Sequence, residues 1–583
     1  MHPVSSRRLS ARSLGTAAAA AVLVLALAAC GGKKSSQSNQ STQAGGTTPA
    51  ATSSVKTGGT LTFALDEDLA GFNVLNASQN EFVLQEVLDK VWPSVFMIQP
   101  SLKPVLDTNV VTSAKVTKKS PQTIVYTINP KATWSDGVPI NADDFIYNWQ
   151  AQSGNAKFTD KGGKPFEPAG TSGYNQIKSV VGSDGGKTVT VTFSKPFGDW
   201  KALFAPMIPA HIAKKVGFNE GFSSFGPAVK VSGGPFEIKS YKKGSNLVEV
   251  PNPKFWGPKA HLSKLIFRFI LDDSQQPPAV QNNEVNMVNP ALPGLDFFNS
   301  VKSIPSFKTA VDPGLEFQHI DFNESNPYLA KASIRHAIAY GTDRDTIAKR
   351  TAGEIYPQLT ALNNRIYMST QPQFKDASSP YSKFDPALAK KMLTQAGMKM
   401  GSDGYFHPNF GPEKGKPFAL SISTTAGVPV RSDIEQLFKS QMKSIGVKIN
   451  IQNYTADKLF GTIGPKGEFD MIEFAWVSSP FASGNQSIYC SYTNKTVCGS
   501  NWDHYADPKV DSLFNKALAT LDPEQAATDY NQIDQLLWKD MATLPLFQQP
   551  QLFGWSTKFA NIVPNTSSVG IPWNANQWGV TAS

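Results

Sequence analysis

From Gly58 to Ser583 the chain runs for about 525 residues without an apolar stretch long enough to cross a bilayer. That length exceeds what one hydrophobic core can serve, so it must divide into two or three lobes. Apolar residues make up 40% and aromatic residues 11%, the usage of an ordinary globular body. The formal net charge is +9. Lysines stand singly or in pairs (Lys118-Lys119, Lys242-Lys243, Lys390-Lys391), a solvated surface without the aromatic-interleaved basic face that nucleic-acid binding requires.

What precedes the body has a different composition. Arg7, Arg8 and Arg12 lead into an apolar run from Leu14 to Ala29 that stops at Leu27-Ala28-Ala29-Cys30. A basic segment, a short apolar segment and small residues before a cleavage point describe a secretory signal over residues 1–29. Its removal leaves a charge of about +6. Cysteine after Leu-Ala-Ala resembles the lipobox of bacterial lipoproteins, which implies acylation of Cys30 and anchoring on the extracytoplasmic face of the cell membrane. Residues 30–57 are Gly, Ser, Thr, Gln, Asn and Ala with almost nothing apolar, the composition of a flexible tether.

Two cysteines remain, Cys490 and Cys498, flanking Ser-Tyr-Thr-Asn-Lys-Thr-Val. Outside the cytoplasm so close a pair is most simply a local disulfide. A zinc site with Asp503 and His504 is the competing idea, weakened by the lack of a second Cys pair. No metal and no cofactor is expected.

Local signals alternate between strand and helix. Gly59 to Leu65 has period two, and Thr123 to Ile128 is a β-branched strand entering Trp134-Ser135-Asp136-Gly137, a turn. Asn141 is placed to cap a helix with Asp144 in its first turn and Phe145 and Trp149 on one face. Asp385-Pro386 to Gly397 carries a cap, a first-turn proline and a terminal glycine. Ile434, Leu437, Phe438, Met442 and Ile445 share a helical face before the alternating strand Val447, Ile449, Ile451. Helix followed by strand in this manner is α/β architecture.

The order of these segments resembles the extracytoplasmic solute-binding proteins of the peptide, dipeptide and nickel class, family 5, that serve ABC importers. Trp134 to Pro139 with Ala142 to Phe145 resembles the family's Trp-Ser-Asp-Gly-x-Pro and Ala-Asp-Asp-aromatic. Gly233 to Phe236 and Asn252 to Gly257 resemble its Gly-Pro-aromatic entry and Asn-Pro-x-aromatic-Trp stop. Phe322-Asn323, Arg335 to Ile338, Asp343-Arg344, the helix from Asp385, Ile445 to Val447, Phe469 to Met471 and Leu544 to Leu546 follow in family order. Trp134 and Trp256 are read as core packing and carry no ligand information.

The resemblance implies an α/β, two-lobed periplasmic-binding-protein-like clamp of type II, of the large class with an extra subdomain. Lobe I would comprise 58–105, 231–320 and 547–583, an inserted subdomain 106–230, and lobe II 321–546. Two chain crossings near Phe322 and Phe547 would form the hinge, and the ligand would sit between lobes. The function implied is that of a monomeric lipid-anchored receptor capturing an oligopeptide or similar small solute for a membrane permease and ATPase complex. A second reading is an interaction or regulatory lipoprotein in cell-envelope lipoglycan assembly, which some actinobacterial proteins of similar appearance serve.

Peptide-binding members resemble one another in carrying Trp-x-Ala-Asp after the Phe-Asp-Met strand, the aspartate pairing with the peptide ammonium. Here the segment is Trp476-Val477-Ser478-Ser479-Pro480-Phe481, with a serine at the acid position. Either the ligand is not a free-amine peptide, or another acid such as Asp66, Glu67, Asp68 or Glu81 holds the ammonium. Trp476, Val477, Ser478, Ser479 and Phe481 are the candidate ligand contacts, with Trp476 equally readable as core. Ser78 and Gln79 resemble the family position that hydrogen-bonds an extended peptide backbone.

Catalysis has no foothold in the sequence. There is no Gly-x-Ser-x-Gly elbow, no His-Glu-x-x-His and no P-loop. Ser53 to Lys56 and Lys56 to Gly58 mimic two penicillin-binding motifs, but they share one lysine and cannot form opposite walls. No enzyme activity is expected.

Overall fold

The computed structural model describes residues 54–493 and 498–582. The signal segment, Cys30 and most of the tether lie outside the described residues. The body begins earlier than Gly58, because Val55–Lys56 pairs antiparallel with Thr581 and Val580.

One ten-stranded sheet runs through the molecule. Its strands are β1 (Thr60–Leu65), β2 (Phe236–Lys242), β3 (Asn246–Pro251), β4 (Lys264–Phe269), β5 (Met287–Val288), β6 (Phe307–Phe322), β7 (Ala419–Ser423), β8 (Lys448–Ile451), β9 (Met471–Val477) and β10 (Thr543–Ser556). Their spatial order is β8-β7-β9-β6-β10-β5-β1-β4-β3-β2. β1 is parallel to β4 and β5, and β7 is parallel to β8 and β9. Joining the halves are the antiparallel strands β6 and β10, 16 and 14 residues long.

Their ladder breaks where Pro313 faces Pro550, and the register shifts between Pro313 and Phe317. Neither proline has an N–H to donate, so the pairing cannot continue across them. The Gln548 side-chain amide bridges the gap by donating to the Gly314 carbonyl oxygen at 2.6 Å. Phe322, where one crossing is expected, ends β6 beyond this break, fully buried and paired with Met471.

Successive residues of β9 serve opposite faces, as a pleated strand requires. Met471 packs with Ile320, Phe438 and Leu544, while Ile472, Phe474 and Trp476 pack with Phe317, Phe514 and Tyr530. On the β1 side, residues 106–230 form a four-stranded antiparallel sheet from Val111–Lys119, Gln122–Ile128, Thr188–Phe193 and Ile177–Ser183. Its Tyr126, Phe145 and Phe204 belong to the same apolar cluster as Phe63 and Phe267 of the main sheet. Gly234 permits one seam of that packing, since a Cβ there would fall 2.1 Å from the Lys90 carbonyl oxygen.

Local punctuation behaves as the sequence indicates. Asn141 caps the helix Ala142–Gln152 in a capping box with Asp144, and Asp385 caps Pro386–Gln395. The helix built around Ile434 spans Pro429–Ser444, beginning earlier than its apolar stripe because Pro429 opens the first turn. Cys490 and Cys498 are disulfide-bonded with Cα atoms 5.6 Å apart.

Candidate functional site

A cavity opens beside the β6–β10 break, with walls from both sides of it. β1 ends into Asp66 and Glu67, which face it with Phe82, Val83, Ala291 and Leu292. From the other side come Arg431 in the first turn of the 429–444 helix, Phe460, Trp502 and the β9 segment Phe474 to Val477. Glu316 enters from β6 itself. The space between these walls, with the open solvent at its mouth, is about 830 Å³.

An aromatic wall closes the inner side. Trp476 is 2% exposed, stacked on His319 with centroids 5.9 Å apart and an interplanar angle of 16°. Phe474 and Trp502 lie 4.8 and 5.6 Å from its ring. The two readings of Trp476 therefore merge, since the ring is core packing on one side and cavity wall on the other.

Electrostatically the cavity is acidic. Asp66 accepts from the Ala291 N–H at 3.1 Å, yet burial raises its carboxyl above the ordinary value against that bond. Glu67 is pushed up to about 8 by burial, then by Asp66, Glu81 and Glu316. Glu316 rises to about 7 because burial and Asp66 outweigh Arg431. Below them Glu473, fully buried, accepts from the Thr424 hydroxyl at 2.8 Å and is also raised by burial. Arg431 faces Glu316 and Glu473 and donates to the Thr425 hydroxyl oxygen at 2.8 Å.

These shifts fix a pH dependence. A glutamate carboxyl, ordinarily near 4.5, whose folded value is about 7 or 8 holds a proton in the native state that the unfolded chain releases. Stability from this source is complete below about 4.5 and declines as pH rises toward 8. The ligand-free protein is expected to melt at a higher temperature at pH 5.5 than at pH 8.5. A melting temperature that climbs over this interval would mean these carboxyls ionise freely.

The remaining sequence candidates lie elsewhere. Ser479 and Phe481 line a second cavity of about 1100 Å³, its opening included, with Phe96, Phe197, Lys201 and Asp89. The Ser479 hydroxyl donates to the Phe481 carbonyl at 2.8 Å and accepts from its N–H at 3.1 Å, so it is engaged in its own turn. Ser478 is buried, its N–H on the Leu315 carbonyl. Val477 is exposed and borders the first cavity. Gln79, 3% exposed, receives the Phe72 and Asn73 N–H groups on its carboxamide oxygen and donates to the Asn219 carbonyl. Ser78 is exposed and bonds Asn76. Neither Ser78 nor Gln79 borders either cavity, so both are loop scaffolding here.

Glu316, Arg431 and Trp502 escaped sequence reasoning. A lone acid in a strand and a lone arginine in a helix carry no local signal, and only the folded packing brings them to one cavity.

The family model described as bacterial extracellular solute-binding proteins, family 5 middle, matches residues 106–496. The oligopeptide-binding protein OppA of Mycobacterium tuberculosis is 29% identical over 517 residues, covering 87% of this chain and 83% of that one. The probable monoacyl phosphatidylinositol tetramannoside-binding protein LpqW of the same organism is 28% identical over 365 residues, 61% of this chain and 54% of that one. The solved structure of the periplasmic EDTA-binding protein EppA superposes with a TM-score of 0.84 at 27% identity, covering 92% of this chain and 99% of that one.

Proposed function

The chain belongs to the bacterial extracellular solute-binding proteins of family 5, and on that premise we propose that it captures a peptide in the cavity beside the β6–β10 break and delivers it to an ABC permease. Proteins of this family are binding proteins that work outside the cytoplasm, not enzymes. The observation that carries the reading is the origin of the cavity walls. Asp66 and Glu67 lie on one side of the β6–β10 break and Arg431 and Trp476 on the other, so a ligand touching both would hold the halves together. The moving units in this proposal are lobe I (58–105, 231–320, 547–583) with the inserted subdomain (106–230), and lobe II (321–546). The working form is a monomer, lipid-anchored through Cys30.

OppA's name supports a peptide as ligand. LpqW and EppA raise two others, a phosphatidylinositol mannoside and EDTA. Both are anionic, and a cavity lined by the acids Asp66, Glu67 and Glu316 offers them one cation, Arg431. Mass spectrometry of small molecules released by denaturing the purified protein is expected to find peptides. Recovery of a phosphatidylinositol mannoside or a metal chelate in their place would overturn the peptide assignment. The bound species should also raise the melting temperature when added back, by mass action.

A further inference from the structure

We propose that Asp66, Glu67 and Glu316 form an ammonium pocket, and that the acceptor end of the same ligand lies against the indole N–H of Trp476 and the guanidinium of Arg431. The inference rests on the reading that this cavity holds the ligand, and it names the chemistry held there.

Three features of the cavity carry it. The carboxylates come from separate chain segments, the end of β1 and the middle of β6, and converge on one space. Among the described residues no donor bonds the side chain of Glu67 or Glu316, and the groups around them are mostly more acids. Glu67 faces Asp66, Glu81 and Glu316, Asp66 faces Asp273, and Glu316 faces Asp66 and Arg431. A cation with several N–H donors satisfies such a cluster, and a neutral or anionic group does not.

Opposite Asp66 and Glu67 stand buried donors without acceptors. Trp476 Nε1, in a residue 2% exposed, and Arg431 Nε, in one 7% exposed, have no hydrogen-bond partner. Both residues line the cavity. A buried donor left unpaired is costly, and a ligand carbonyl or carboxylate would remove that cost. Asp66 and Glu67 on one side, with Glu316 and the two donors on the other, fit a ligand with a free amine at one end and carbonyl oxygens a few atoms away. The serine at position 479 is excluded from the role, because its hydroxyl is engaged with Phe481 and faces the other cavity.

The pairing has a proton cost. Glu67 and Glu316 hold protons near neutrality in the empty cavity, so an arriving ammonium must displace them. Below about pH 8, where the peptide's own α-amine begins to lose its proton, capture therefore releases protons and tightens with rising pH.

Trialanine and N-acetyl-trialanine, titrated calorimetrically into the full-length protein at pH 5.5 and 7.0 in two buffers of different ionisation enthalpy, test this. The free-amine peptide is expected to bind about tenfold or more tighter than the acetylated one, more strongly at pH 7.0, where its amine is still protonated, with proton release seen between buffers. The double variant Glu67→Gln/Glu316→Gln copies the shape of the protonated acids, so it should stay folded, melting at pH 8.5 no lower than the parent. It should lose the preference for the free amine. Equal binding of both peptides overturns the ammonium pocket and leaves the cavity reading intact. A preference that survives in the folded double variant also overturns it, because another acid then holds the amine. Binding of neither peptide overturns both the peptide reading and this inference.

Discussion

Arg365→Met is expected to cost about 3 to 5 kcal/mol of stability, the size typical of breaking one partner from a buried pair. Arg365 and Asp534 are both fully buried, with Nη1 and Oδ1 3.2 Å apart. The same guanidinium donates to the Thr543 carbonyl oxygen at 2.6 Å and to its hydroxyl oxygen at 2.9 Å, and lies 4.2 Å from the Trp538 ring centroid. It thus ties the helix Pro523–Asp540 to the first residue of β10. Methionine fills much of the volume but leaves the Thr543 carbonyl without the guanidinium and the Asp534 carboxylate with the backbone N–H of residue 365 in place of a charged partner. Burial already raises the Asp534 carboxyl and Arg365 opposes that, so the variant should force Asp534 to take up a proton. Adding Asp534→Leu to Arg365→Met should recover part of the loss, since an apolar pair carries no unpaired charge. Urea unfolding of the three proteins checks this. A single variant within about 1 kcal/mol of the parent would show the pair to be energetically idle.

Cys30→Ala is expected to shift the protein almost wholly from membranes to the soluble or secreted fraction. Among the described residues no helix is long and apolar enough to cross a membrane. Retention in the proposal therefore falls to the acyl chains on Cys30, each buried methylene contributing about 0.8 kcal/mol. Fractionation with a carbonate wash is the measurement. A variant that stays in washed membranes would locate the attachment elsewhere.

What was legible in the sequence was local. The helix Pro386–Gln395 announces itself through Asp385, Pro386 and Gly397, and each signal acts within a few residues of where it stands. β1 and β8 are legible for the same reason, through their alternation. The break in the β6–β10 ladder was not legible, because Pro313 and Pro550 say nothing about each other until the register of β6 on β10 sets them face to face. Gln79 was read as a ligand contact for a similar reason. Its third partner, the carbonyl of Asn219, is 140 residues away. The cavity was half legible, since an acid pair after a strand could be flagged from Asp66 and Glu67. Glu316 and Arg431 join them only through packing.

The pairing of Val55 and Lys56 with Thr581 and Val580 settles where a leash would pull. Any tension arriving along the residues before Ser54 reaches the β1 half of the molecule at the open end of a two-rung ladder. Such a load peels rungs one at a time, where a load along a long strand would have to shear many together. Letting go of residues 55 and 56 would pay out about 7 Å of extra reach and leave Phe63, Trp578 and the rest of that core in place. Under the proposed anchor the short terminal strand would thus be a stowed length of line, with the β7 to β9 half lying across β6 and β10 from it.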